Sequence, residues 1–464
     1  MTDARPKVVI VGAGFGGLTA AQSLAQVPVD VTIIDRHNYH YFQPLLYQVA
    51  TAALSPADIA WPIRGILRRQ RNATVLLANV TSIDADARIV RAGSVTIPYD
   101  YLVLATGATH SYFGHPEWAS SAPGLKQIED ATSIRRKVLL AFEHAELTDG
   151  YEEQRRLLTF VVVGGGPTGV EMAGAIAEVA HHALPAEFRR IDPHAARVIL
   201  VEAGPRLLPT FPEDLSLYAH KALERMGVEV RTLARVTNCD EAGVDLEETR
   251  IEAGTIIWAA GVVASPAAEW LGAERDRAGR VKVEPDLSVP GKPEIFVIGD
   301  TASVADATGG PVPGIAPAAK QMGRFVAHVI ASKVENKTSP GPFRYRHQGD
   351  LATIGRKAAV VKLRAIHLTG FIGWLFWGFA HIYFLIGLRN RTVVAFSWLW
   401  NYLTYQRGAR LITDSPDMQK IARDEKMHPL HSAADVRHGP GRDQARSEAQ
   451  RTGGDPLPSR SASL

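Results

Sequence analysis

Lys7-Val-Val-Ile-Val11-Gly12-Ala-Gly14-Phe-Gly-Gly17-Leu-Thr-Ala-Ala-Gln-Ser-Leu-Ala25 is the stretch whose reading decides the fold. Its β-branched opening suits a buried strand and its alanine-rich end suits a helix, so the glycines occupy a tight turn between the two. A pyrophosphate must come close to backbone. Gly12 then serves the bend, Gly14 the access and Gly17 the packing of helix on strand, while the helix N-terminus offers unpaired N–H groups. The next β-branched run, Val29 to Ile34, closes on Asp35, about 20 residues beyond the first glycine, where an acid accepts from a ribose 2′-hydroxyl. A GxGxxG alone is a weak signal; framed by strand, helix and acid it marks a nucleotide-binding α/β lobe.

The same order recurs. Leu158 to Val163 leads into Gly164-Gly-Gly166-Pro-Thr-Gly169, a helix from Val170 to His181, and a strand from Arg197 to Val201 that closes on Glu202. This second acid arrives later than the first, and the Pro-, Arg- and His-containing stretch His181 to Ala196 reads as an insertion in the crossover. An acid at Glu202 accepts from a free 2′-hydroxyl and repels a 2′-phosphate, which predicts NADH over NADPH, softened by nearby Arg206. Each lobe has an exit strand ending in small residues, Tyr101 to Gly107 and Thr255 to Gly261. Glu294 to Ile298 is a further apolar strand ending in Gly299-Asp300, and Ile315 to Ser332 reads as a helix. The first lobe therefore resumes after the second, with the return near Pro266.

The formal charge of +3 is too small for a nucleic-acid partner. The single cysteine, Cys239, forbids an internal disulfide; it fits a reducing compartment and removes flavoenzymes that work through a cysteine pair. Met1 to Lys7 is short and polar, without room for a cleavable signal, so the catalytic body is expected in the cytoplasm. From Ala365 the composition shifts. Phe371 to Leu388 carries no formal charge and is crowded with Phe, Trp and Tyr, with Lys362, Arg364, Arg389 and Arg391 on its flanks. Its length would serve a membrane span, but His381, Gly373, Gly378 and Gly387 interrupt it and charge is balanced across it. An in-plane anchor at a membrane surface is the expectation. From Thr413 the chain is polar without period, and 413–464 is expected to be a disordered tail.

Over roughly residues 7 to 412 the chain resembles the type II, single-subunit NADH dehydrogenases. The resemblance rests on Asp35-Arg-His-Asn-Tyr-His-Tyr-Phe-Gln-Pro-Leu-Leu-Tyr-Gln-Val-Ala50, on Val163-Gly-Gly-Gly-Pro-Thr-Gly-Val-Glu-Met-Ala-Gly174 and on Val297-Ile-Gly-Asp300. It implies an α/β fold of two Rossmann-like dinucleotide-binding domains with C-terminal membrane-anchoring helices. FAD would occupy 1–120 and 266–345, NADH 121–265, and the anchor 346–412. The FAD residues implied are Gly12, Gly14, Phe15, Gly16, Gly17, Asp35, Arg36, Val80, Ala105, Thr106, Gly107, Asp300, Ala316 and Ala318. Those for NADH are Gly164, Gly166, Pro167, Thr168, Gly169, Glu171, Glu202, Ala260 and Gly261, with Gln43, Pro44, Gln48 and Gln321 at a quinone.

Glu171 and Gln321 are the catalytic expectations, Glu171 at the nicotinamide side and Gln321 on the quinone-site helix. That helix carries an Ala-Gln-x-Ala-x-Gln-x-Gly pattern in the family, and Pro317 stands here in place of the first glutamine. The activity implied is hydride transfer from NADH to FAD and delivery of two electrons to a membrane quinone, ubiquinone or menaquinone, without proton pumping. The enzyme would sit peripherally on the cytoplasmic face of the cell inner membrane, as a possible homodimer. A soluble FAD-dependent NAD(P)H reductase feeding a protein carrier is the alternative, against which the aromatic C-terminal segment argues, and a redox-sensing flavoprotein that binds both nucleotides with negligible turnover is a third.

Overall fold

The computed structural model describes residues 5–305, 309–404 and 407–413. The tail expected to be disordered lies, from 414 onward, outside the described residues, and the elements below belong to the compact unit ending at Leu411.

Two parallel sheets are built on one plan. In the first, Lys7–Val11 lies between Asp30–Asp35 and Tyr101–Leu104, with Ala73–Leu77 beyond the one and Lys292–Val297 beyond the other. In the second, Thr159–Val163 lies between Arg197–Val201 and Thr255–Trp258, with Val228–Arg231 outermost. Each central strand thus has the acid-bearing strand on one side and the exit strand on the other. Both are buried almost end to end, as parallel strands covered on two faces must be, which is why they read as continuous β-branched runs. The strand Lys292–Val297 pairs with Tyr101–Leu104, so the chain does return to its first sheet.

Each sheet also carries a three-stranded antiparallel meander before its exit strand. These are Val80–Asp84, Ile89–Ala92 and Val95–Pro98 in the first, and Val236–Asp240, Gly243–Leu246 and Arg250–Glu252 in the second. Sequence reading passed over both, because strands this short with one face in solvent leave little pattern. The late arrival of Glu202 has its expected cause: a π turn at Val179–Ala183 and a 3-10 turn at Pro193–Ala195 lengthen the crossover. The Glu146 carboxylate secures that loop by accepting from the N–H groups of Arg189, Arg190 and Ile191.

Two ribbon strands, Ala108–His110 and Val262–Ala264, run between the sheets as an antiparallel pair. Beside them Thr106 and Ser265 share a 2.5 Å hydroxyl contact, and the Thr301 hydroxyl donates to the Gly107 carbonyl at 3.2 Å. The segment Leu46–Ala50 packs against the long helix Ile128–Leu147 and against Pro167–Glu178, so a piece of the first lobe's sequence is part of the second lobe's core.

The C-terminal region is a three-stranded antiparallel sheet, Asp350–Ile354, Ala358–Leu363 and Ile366–Thr369, followed by the helices Gly370–Phe384 and Leu388–Thr404. The apolar run Phe371 to Leu388 is therefore broken: Leu385 leaves the first helix in extended conformation, and Arg391 donates to the carbonyls of Tyr383 and Leu385 across the break. Among the described residues no helix is long and apolar enough to cross a membrane. Each of the two helices has one face in the core, through Trp377, Leu385 and Val394, and one face open, through Ile372, Leu375, Phe379 and Tyr383 on the first and Phe396, Leu399, Trp400 and Leu403 on the second.

The helices Phe15–Ser23 and Ala316–Val334 cross so closely that a β-carbon on Gly323 would collide with the Gly16 carbonyl oxygen. Backbone cannot move aside as a flexible side chain can. Gly323→Ala is expected to lower stability by about 1–3 kcal/mol through overpacking, read as a fall in denaturant midpoint. Gly341→Ala, where added atoms meet nothing within 4 Å, serves as the neutral control.

Candidate functional site

The two glycine-rich turns have the same construction. A β-carbon on Gly17 would strike the Gly12 carbonyl, and one on Gly169 the Gly164 carbonyl, so helix and strand meet at a distance only hydrogen permits. Gly12 and Gly164 themselves have φ of +97° and +111° and back onto the exit turns at Ala105 and at Ala259 and Ala260. By contrast, a β-carbon on Gly14 or Gly166 would meet nothing within 4 Å. Two positions in each turn are closed by the protein and one is left open, as close approach of a phosphate requires.

Each acid closes its own turn. Asp35 accepts from the N–H groups of Ala13 at 2.6 Å and His37 at 2.7 Å, and Glu202 accepts from those of Gly165 and Gly204, both at 2.6 Å. Arg206, from which a softened cofactor preference is expected, donates to the Pro209 and Phe211 carbonyls.

The other first-lobe positions gather near that turn. Thr106 and Gly107 meet Thr301 and Ser265, and Asp300 approaches Lys126 at 4.0 Å and packs on Gly314. Ala316 and Ala318 begin the helix that Pro317 opens, whereas Arg36 is exposed and Val80 starts a meander strand. His40 is buried beside Phe15, and its Nδ1 lies 2.8 Å from the Ala13 carbonyl. A carbonyl only accepts, so Nδ1 carries the proton. Burial holds the ring's pKa down at about 4, which keeps it neutral and leaves Nε2 an acceptor, buried and without a partner. An orphan acceptor next to an open phosphate cradle fits a ligand with hydroxyl donors close to its pyrophosphate, as the ribityl chain of FAD has. The residues present suit FAD.

Glu171 lies on the helix Pro167–Glu178, buried, and among the described residues its one hydrogen-bond partner is the Thr353 N–H at 3.3 Å. Desolvation pushes its pKa up to about 8, with that hydrogen bond pulling weakly the other way. Two turns further along, Glu178 accepts from the Arg356 N–H and from the Arg407 guanidinium, which also donates to the Thr51 carbonyl. Tyr47, Gln48, Glu178, Trp398 and Arg407 line one cleft. In it Trp398 Nε1 donates to Gln48 Oε1 at 2.7 Å, and Gln48 Nε2 donates to the Tyr47 hydroxyl at 2.8 Å. Gln43 and Pro44 sit in the half-buried turn just before.

Gln321 stands apart from this group: its amide is engaged on both sides by the backbone of Arg346, at 2.9 Å each. Its neighbour Lys320 lies over the rings of Phe15 and Phe384, 5.3 Å from each centroid. Lys320, Arg356 and Arg407 were not singled out from the sequence. Lys320 stands immediately before Gln321 and was legible in the sequence as an ionisable residue on the same helix. The two arginines carried no local signal. Cys239 is buried, with its thiol pushed up to about 11, chiefly by desolvation, so it is not an active nucleophile.

Residues 6–323 match the pyridine nucleotide-disulphide oxidoreductase family model, and residues 347–406 match the NDH2 C-terminal domain. The chain is 45% identical over 425 residues to the type II NADH:quinone oxidoreductase Ndh of Mycobacterium tuberculosis, covering 88% of this chain and 91% of that one. It is 45% identical over 426 residues to that organism's NdhA, covering 88% and 90%. In fold it is similar to NDH2 from Plasmodium falciparum solved in complex with NADH, with a TM-score of 0.80 at 22% identity, covering 88% of this chain and all of that one. Two dinucleotide turns, a lone inert cysteine, both family models and relatives matched nearly end to end agree: the chain belongs to the type II NADH:quinone oxidoreductases, which are FAD-dependent NADH dehydrogenases.

Proposed function

We propose that this chain binds FAD through 1–120 and 266–345 and NADH through 121–265, and passes two electrons to a quinone that arrives from a membrane surface held by 346–412. The observation that carries this reading is the duplicated turn: two open phosphate cradles, each answered by an acid, in lobes tied together at Thr106, Ser265 and Thr301. Bound flavin supplies the hydride acceptor and the two-electron store. The protein's residues do the rest. Gly14 leaves room for the flavin nucleotide's pyrophosphate and Gly166 for that of NADH, while Gly12, Gly17, Gly164 and Gly169 allow the close backbone packing behind them. Asp35 and Glu202 are placed to accept from ribose hydroxyls on rearranging from the turn N–H groups they now hold.

Glu171, buried on the helix after the second turn with its pKa raised to about 8, helps to position the nicotinamide end of NADH without placing a full charge beside it at neutral pH. The Gln43 to Gln48 segment borders the acceptor side, where Gln48 is oriented by Trp398 of the second surface helix. The open apolar faces of the two C-terminal helices, with Arg389 and Arg364 nearby, suit the headgroup region of a bilayer. Contiguous exposed apolar surface of this kind marks an interaction site. A peripheral seat on the cytoplasmic face of the inner membrane follows from this reading. A reductase serving a soluble carrier would have no use for these faces.

The direct test is spectroscopic. Purified protein should be yellow, bleach with NADH and regain its flavin absorbance on adding a short-chain quinone; a colourless protein that takes up no flavin defeats the proposal. Gly14→Ala, which meets no protein atom within 4 Å, should leave the far-ultraviolet circular dichroism unchanged while the flavin content drops.

Glu171 also makes stability depend on pH in a definite direction. Its pKa is about 8 in the folded chain against an ordinary carboxyl value of 4.5. Between these the unfolded chain releases a proton that the folded one keeps, so this contribution is complete below about 4.5 and is lost as pH rises toward about 8. Thermal melts of the Glu171→Gln holoenzyme should therefore match wild type at pH 5 and exceed it at pH 8; equal decline in both would remove Glu171 as the cause. A triple substitution on the open faces, Phe379→Ser, Phe396→Ser and Trp400→Ser, should abolish co-sedimentation with anionic vesicles while flavin content is preserved.

A further inference from the structure

Lys320 is half-buried, yet among the described residues its Nζ has no carboxylate and no hydrogen-bond acceptor; it has instead two aromatic faces, Phe15 and Phe384. Phe15 opens the helix of the first glycine-rich turn, and Phe384 closes the first surface helix with its ring partly open. The ammonium therefore stands where the flavin-binding turn meets the open apolar face, on the path a lipid-soluble acceptor would take.

The charges that act on it have its own sign. Arg324 is one turn along the same helix and exposed, and Arg391 is held by the Tyr383 and Leu385 carbonyls. Desolvation first, then these two cations, push the Lys320 pKa down. Ring faces replace only part of the water an ammonium gives up, and a partly dehydrated cation with cations around it is short of an anion or a strong acceptor. The other donor positions on this stretch of helix are spent: Pro317 has no side-chain donor, and the Gln321 amide is engaged by Arg346.

We infer that Lys320 is a catalytic residue of the acceptor half-reaction, its ammonium donating a hydrogen bond to one quinone oxygen and offsetting the negative charge that oxygen gains on reduction. This rests on the quinone reading above. The quinone gains two electrons, supplied by NADH oxidation, and two protons, and leaves as the quinol. The charge on oxygen peaks between electron arrival and protonation, where a preplaced cation in a poorly hydrated site acts most strongly. Of the two protons, one arrives with the hydride taken from NADH and the other is drawn from water, so Lys320 finishes in the state in which it began.

The test uses the FAD-loaded enzyme in two half-reactions, bleaching by NADH and recovery of absorbance with a short-chain quinone. In Lys320→Met and Lys320→Gln, recovery relative to bleaching should slow by at least about tenfold. The dissociation constant for a hydroxyquinone anion titrated into the oxidised enzyme should rise by a similar factor, and Lys320→Arg should restore most of both. Wild-type recovery and binding in both neutral variants would overturn the inference. So would unchanged quinone behaviour with lost binding to anionic vesicles, since the cation would then serve a lipid phosphate. If wild-type enzyme bleaches with NADH and no quinone restores it, the functional proposal itself has failed.

Discussion

Backbone contact that only glycine allows is the constraint on which the rest depends. In both lobes the helix after the turn meets the turn's first carbonyl so closely that a single added carbon cannot be housed, at Gly17 and again at Gly169. This seats the helix N-terminus over the end of its strand, where its unpaired N–H groups and dipole face the place a phosphate takes. The same demand recurs one layer out, where Gly323 lets the helix Ala316–Val334 lie on Gly16. Asp35 and Glu202 then hold the turns from the side by accepting from Ala13 and Gly165.

Two such lobes make a reductase only if they face each other, and the structure spends its polar interactions on that problem. Asp130 caps the long helix Ile128–Leu147 by accepting from Lys126 and Gln127 and pairs with His110 from the ribbon. Tyr39 and Tyr41 reach from the first lobe to Glu129 and the Lys126 carbonyl. The helix Pro167–Glu178 contributes a carboxylate at each of two levels, Glu171 to Thr353 and Glu178 to Arg356 and Arg407. The Glu178–Arg407 pair is nearly out of solvent. Breaking a pair of this sort by removing one partner costs about 3–5 kcal/mol, so the segment after the second surface helix is fastened to the second lobe.

The C-terminal helices consequently have two duties. Trp377, Leu385 and Val394 complete a core shared with both lobes, while the opposite faces remain apolar and open. Trp398 connects the two faces chemically, since it is on the surface helix and its indole N–H orients Gln48. The second surface helix and the cleft that holds Gln48 are joined through one hydrogen bond.

The amino-acid sequence by itself determined the local elements: both strand–turn–helix units with their acids, the exit turns, the return through Lys292–Val297, and the helix that Pro317 opens. These are legible because glycine, β-branched and proline preferences act over a few residues, and a buried parallel strand leaves an unbroken apolar run. Only the tertiary structure decided which side chains of those elements meet. It turned Gln321 onto Arg346 and Lys320 toward Phe15, brought Arg407 to Glu178 across the chain, and ended the helix of the apolar run at Phe384, short of a span. It also set the protonation of His40 and Glu171, because desolvation depends on what packs around a group and not on its neighbours in sequence.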